Sequence, residues 1–328
     1  MPKAPPVHRF KDILLAASPG HLQPRTLRTA IKLAEHNVAR LTVLDVLAPL
    51  PRSRKAINLG DRVIDLEALL LRDREERLKR LIKRSRGKPS PEVIVAIGQP
   101  SVEVTRHALT HGHDLVMVGA DGVHKDLASE LDSGVMGLLR KCPVPVWVMR
   151  PSRARKLRVL ALVDPDPIDP VRDGLNDQIL RLATSIVRCQ GGELHLGHAW
   201  SLPGESTLRF SPYLRLPGSE VDTMVRAVET GRRSEIESLA SRHLVNELGG
   251  SIHLVSGEPR EALPELVRRL QIGLVVMGTV ARKGISGLLM GNTAEAILRS
   301  VDCSVLAVKP EGFVTPVKVS HRRKRANG

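Results

Sequence analysis

The stretch GLVVMGTVARKGISGLLMGNTAEAIL, residues 273–298, sets an apolar run against a helical pattern and places glycines between them. Glycine admits positive φ and lets main-chain amides approach a ligand with no Cβ in the way. Asn292 or Thr293 stands in capping position, and Glu295 falls in the first turn of the helix that follows. A strand, a glycine-rich loop and a helix N-terminus together make an anion site, because unpaired N–H donors and the positive end of the helix dipole both favour phosphate. The spacing is neither GxxxxGK followed by Ser or Thr, which excludes a P-loop ATPase, nor GxGxxG, so dinucleotide binding loses its fingerprint.

Two histidine groups invite other chemistry. His107 and His111 lie four apart on one helical face, with His113 and Asp114 just beyond, a spacing open to a transition metal. Histidines gathered at a helix C-terminus by its dipole give the same pattern, and we assign no metal site. His195 and His198 sit on an apolar run with no paired nucleophile and read as packing or pocket-edge residues. No base, nucleophile and oxyanion donor can be assembled at one place, so no turnover is expected beyond, at most, slow ATP hydrolysis.

The elements that must position these groups occur twice. At an offset of 159 residues EVIVAIGQP (92–100) falls on SIHLVSGEP (251–259), DLVMVGADG on GLVVMGTVA, and LRKCPVPVWVMRP on LRSVDCSVLAVKP. ILLAAS (13–18) matches VLALVD (159–164) at 146, so the second copy carries thirteen extra residues, which the Pro-, Gly- and Ser-rich stretch 201–218 accommodates as a loop. In the first copy, apolar runs at 13–17, 41–47, 93–97, 114–119 and 144–149 alternate with helical patterns at 24–37, 61–84, 101–111 and 134–141. Continuous aliphatic runs mark strands buried on both faces, and strand–helix alternation means a parallel sheet with helices on both sides. Such sheets bind ligands at the carboxyl ends of their strands, where strand order reverses.

Bulk properties agree with two folded domains. The chain has 328 residues, 42% apolar and 26% charged, which excludes a disordered protein. Its formal charge of +15 attracts phosphate-bearing partners. No run approaches about eighteen apolar residues, and MPKAPPVHRF has no export core, so a cytosolic protein without a membrane span is expected. Cys142, Cys189 and Cys303 are far apart and read as reduced thiols. The basic runs KRLIKRSRGK and KVSHRRKRANG lack interleaved aromatics, so they read as a solvated helix face and a tail, with weak or no nucleic-acid contact.

The loop spacing resembles a known family. Gly278, two residues, Ala281, nine residues, then Gly291, Asn292 and Thr293 is similar to the Gly-x2-Gly-x9-Gly-Ser/Thr phosphate loop of the universal stress protein family. MGTVARKGIS, GNTAEAIL and LLRKCPVPVWVMR resemble its tandem, E-type members in particular. The resemblance implies two tandem doubly wound α/β domains of the adenine-nucleotide-hydrolase type, each with a five-stranded parallel sheet: 8–152 and 156–312, followed by a basic tail, 313–328. It implies that Asp164 holds adenosine, Ala199 touches adenine, and Gly278, Ala281, Gly291, Asn292 and Thr293 take the phosphates of ATP or AMP, with Mg2+ accompanying ATP. Ala281 and Asn292 depart from the pattern, a glycine and a serine in the family. In the first copy Gly119 and Gly122 survive, but Asp132 and Ser133 stand where glycine should meet phosphate and Ser18 replaces the aspartate, so that copy is expected not to bind. Members of this shape associate through their last strands, here 144–149 and 304–308, which implies a pseudo-dimer within the chain, with a homodimer as a further option. The implied work is regulatory, in stress survival. A nucleotide-independent ligand-binding or scaffold protein, and a nucleic-acid-associated factor, remain as alternatives.

Overall fold

The central aliphatic runs form strands buried on both faces, and the outer ones are only half-buried. The computed structural model describes residues 10–17, 22–51, 55–59, 62–85, 90–120, 133–151, 156–166, 168–243, 245–280 and 290–319. These fall into two compact units, the first holding the described residues of 10–151 with 290 and 312–319, the second those of 156–280 with 291–311.

The first unit runs β1 (Asp12–Ala16), α1 (Pro24–Asn37), β2 (Arg40–Leu47), β3 (Ala56–Leu59), β4 (Arg62–Asp65), α2 (Leu66–Ser85), β5 (Glu92–Ile97), α3 (Pro100–His111), β6 (Leu115–Gly119), α4 (Ser133–Lys141) and β7 (Val146–Met149). Its main strands pair in parallel in the order β5-β2-β1-β6-β7. The central β1 and β6 are buried throughout, whereas the edge strand β5 is half-buried. Residues 312–319 complete this unit. Val317 is buried, the Thr315 hydroxyl donates to the Lys141 carbonyl at 2.7 Å, and Arg106 Nε donates to the Lys318 carbonyl at 3.4 Å.

The second unit runs β8 (Arg158–Leu162), α5 (Pro170–Gln190), β9 (Glu193–Trp200), α6 (Glu205–Phe210), α7 (Gly218–Arg242), a 3-10 turn (Val245–Leu248), β10 (Ile252–Ser256), α8 (Pro259–Arg269), β11 (Leu274–Gly278), α9 (Asn292–Ser300) and β12 (Ser304–Val308). Its parallel order is β10-β9-β8-β11-β12. In both units the order reverses between the first and fourth main strands, and in the second unit that places the switch between β8 and β11.

Two local expectations are corrected. The helical reading of 61–84 fails at its start: Arg62–Asp65 pairs antiparallel with Ala56–Leu59, and the helix begins at Leu66. The flanking apolar residues around Gly60-Asp61 follow a hairpin rhythm, which the charged helix beyond them masked. The stretch 201–218 is not all loop, because Glu205–Phe210 is helical and α7 already starts at Gly218. Among the described residues no helix is long and apolar enough to cross a membrane.

Candidate functional site at the carboxyl edge of the second unit

Parallel strands deliver their carboxyl ends to one edge, and there the second unit gathers most of the residues singled out in its sequence. Leu162 of β8 pairs with Gly197 of β9 and with Met277 of β11, so Asp164, Ala199 and Gly278 come from neighbouring strand ends. The amide of Gly291 donates to the Thr279 carbonyl at 3.0 Å, which closes the start of α9 onto the end of β11. Asn292 and Thr293, the first residues of α9, are exposed. Ala281 lies outside the described residues, as do Ser18, Gly122 and Asp132 of the first copy.

The capping and glycine expectations need correction. The N-cap is Gly291, with φ −63° and ψ 140°, and no side chain among the described residues caps the helix. Neither Gly278 nor Gly291 adopts positive φ. At Gly278 the absence of a side chain serves packing instead: a Cβ there would stand 2.8 Å from Leu175 Cδ2 of α5, so that leucine would have to shift. Among the described residues no side-chain cap takes up the first-turn amides of α9, as an anion site requires. Thr279, missed in the sequence, is fully buried beside this helix start, and its hydroxyl finds no hydrogen-bond partner among the described residues. Such an orphan is costly unless something else completes it.

The other flank is acidic. Asp164 follows β8, and its main chain is clamped by Asn176, whose side chain accepts from the Asp164 amide and donates to its carbonyl, both at 3.1 Å. Arg172 on α5 reaches Asp166 at 2.8 Å, Asp164 at 3.6 Å and Asp169 at 3.7 Å. Asp169 also caps α5, accepting from the amides of Val171 and Arg172 at 3.1 and 3.2 Å. His198 donates from Nδ1 to the Val163 carbonyl at 2.9 Å and sits 4.0 Å from the Asp164 carboxylate. Burial holds its pKa below the usual histidine value despite that hydrogen bond and the carboxylate. Arg232 of α7 donates to the Pro165 carbonyl at 3.3 Å. Three carboxylates around one guanidinium leave excess negative charge here, so an anion would turn to α9 and an uncharged or donor-bearing group to Asp164. The run DPDPIDPVR, residues 164–172, carries this cluster and was legible as a cap with nearby carboxylates.

Among the described residues the group His107, His111 and His113 forms no comparable site. The rings of His107 and His111 stack at 4.0 Å, His113 Nδ1 lies 2.7 Å from Asp12, and the Asp114 carboxylate accepts from the amides of Lys11 and Asp12. Among the described residues no three His, Cys, Asp or Glu side chains are arranged to hold a metal ion. His195 Nδ1 lies 3.2 Å from His253 Nε2 across β9 and β10, a hydrogen-bonded pair away from the carboxyl-end cluster.

Comparison with known proteins follows the two units. The pattern of the "Universal stress protein family" matches residues 9–150 and 170–309. The chain is 28% identical over 238 residues to "Universal stress protein E" of Escherichia coli K12, covering 71% of this chain and 72% of that one. It is 21% identical over 332 residues to "Universal stress protein E homolog" of Haemophilus influenzae, covering 92% of this chain and 98% of the other. Among solved structures, a functionally unknown protein of Pseudomonas aeruginosa PAO1 superposes with a TM-score of 0.69 at 21% identity, over 93% of this chain and 95% of that one.

Proposed function

The chain belongs to the universal stress protein family, with two such domains in tandem, and from that premise we propose that its second unit binds an adenine nucleotide, ATP or AMP, for a regulatory role. Phosphates lie against the α9 N-terminus, with Gly278, Ala281, Gly291, Asn292 and Thr293 as the residues that take them, and the nucleoside lies against Asp164 and Ala199. Mg2+ accompanies ATP. The observation that carries this reading is the start of α9, tied to the β11 end by the Gly291–Thr279 bond, without a side-chain cap among the described residues and flanked by the buried Thr279 hydroxyl, which has no partner among them. The acidic cluster around Arg172 supports the orientation, since it disfavours phosphate at the Asp164 end.

A second reading, a nucleotide-independent small-ligand or scaffold protein, draws support from Ala281 in the loop and from Arg172 already standing 3.6 Å from Asp164. Isothermal titration with ATP and AMP separates the two. Nucleotide binding predicts measurable heat, a loss of at least roughly tenfold in affinity for Asp164→Ala, and no change for Ser18→Ala. Heat with neither nucleotide at high protein concentration would favour the second reading, and equal losses in both variants would overturn the assignment of the copies.

A further inference from the structure

The thirteen-residue excess of the second copy stands as a helical finger with unpartnered aromatics. Arg232, fourteen residues into α7, contacts Pro165 just past the end of β8, so about 21 Å of helix at 1.5 Å per residue precedes the residue that makes this contact. The first half of α7 contributes a single buried residue, Val221, while the second half buries Ile236, Leu239 and Ala240. α6 is fastened along this overhang, because Arg209 bridges Glu205 and Asp222, both at 2.8 Å.

At the tip the sequence reads RFSPYLR, residues 209–215. Phe210 is 80% and Tyr213 93% exposed, in a chain with six aromatic residues, of which Phe10, Trp147 and Trp200 are buried. Core packing does not explain either ring. Arg215 holds a left-handed backbone, φ 44°, uncommon for a side-chain-bearing residue. Its Nε reaches only the Pro212 carbonyl, and Arg226 Nε only the Asp222 carbonyl; neither guanidinium has a carboxylate partner among the described residues. Since Arg209 engages both Glu205 and Asp222, Glu220 is the acid left to offset these two cations.

We propose that this finger binds single-stranded nucleic acid, with unpaired bases stacking on Phe210 and Tyr213 and phosphates drawn to Arg215 and Arg226. Aromatic faces interleaved with arginines suit a partner that is both planar and anionic. The formal charge of +15 favours the same partner and disfavours a second copy of the chain. A lipid surface is a poorer match, since only Leu214 and Met224 add exposed aliphatic surface there. The proposal stands independently of the nucleotide site.

Fluorescence anisotropy of the full chain with a labelled oligouridylate 12-mer at low salt tests it. The parent is expected to bind, the Phe210→Ala/Tyr213→Ala double variant to lose at least about tenfold in affinity, and Tyr213→Phe to retain it. Arg215→Ala/Arg226→Ala should bind more weakly with a shallower salt dependence. Because both rings are exposed, the thermal midpoint and AMP affinity should not move. No binding by the parent, or unchanged affinity in the double aromatic variant, overturns the proposal. It is equally overturned if the aromatics instead govern co-sedimentation with phosphatidylglycerol vesicles or self-association of the chain.

Discussion

His107 occupies an environment that opposes its own protonation. Both ring nitrogens are buried without a hydrogen-bond partner among the described residues. Burial, then the neighbouring His111 and His113, bring its pKa from 6.5 to about 4, against a smaller pull from Asp12, which itself contacts Arg40. The unfolded chain therefore takes up this proton first as the pH falls. The stability tied to neutral His107 is complete above about 6.5 and is lost as the pH drops towards about 4. Burial also lowers the pKa of His113, so part of the dependence belongs to it. Urea midpoints at pH 7 and pH 4.5 should therefore differ more for the native chain than for His107→Leu, and identical pH slopes would refute this account. In the second unit Asp164 has its main chain fixed by Asn176 and its carboxylate beside Arg172 and His198.

At the scale of elements, α5 shows how a helix start serves a site. Asp169 satisfies two of its orphan amides and stands near Arg172, so the cap and the acidic cluster are one construction. Asp169→Ala should cost about 1 kcal/mol in a denaturation midpoint and loosen Arg172 without abolishing the fold; a neutral result would show that the cap carries no stability. α9 is built the opposite way, with Gly291 offering no side chain to its first turn. The start of α9 shares its lack of a side-chain cap with α1, α3, α6, α7 and α8, so its place beside the strand switch, rather than the missing cap alone, is what singles it out for the proposed site. The β3–β4 hairpin and α6 were hidden from periodicity for one reason. Both are short pieces beside long helices, and a window long enough to see the helix averages them away.

At the scale of the whole molecule, residues 312–319 belong to the first unit although they follow the last strand of the second. Burying Val317 is worth about 2 kcal/mol, and the Thr315–Lys141 hydrogen bond adds a tether at the end of α4. Ending the chain at Glu311 should therefore lower the stability of the first unit by roughly that amount and speed amide exchange in α3 and α4, while β8 to β12 keep their protection. Unchanged exchange in α3 and α4 would sink that expectation. What the sequence by itself determined is the duplication, the α/β class and the run of glycines after β11, because continuous aliphatic strands, internal repetition and glycine spacing are written in local composition. Only the tertiary structure decided that Gly278 makes room for Leu175, that the Thr279 hydroxyl is buried with no partner among the described residues, that Arg172 gathers three carboxylates, and that Phe210 and Tyr213 face solvent. Each of these depends on which side chains meet when strand ends converge, and burial and partnership are properties of that meeting rather than of any segment alone.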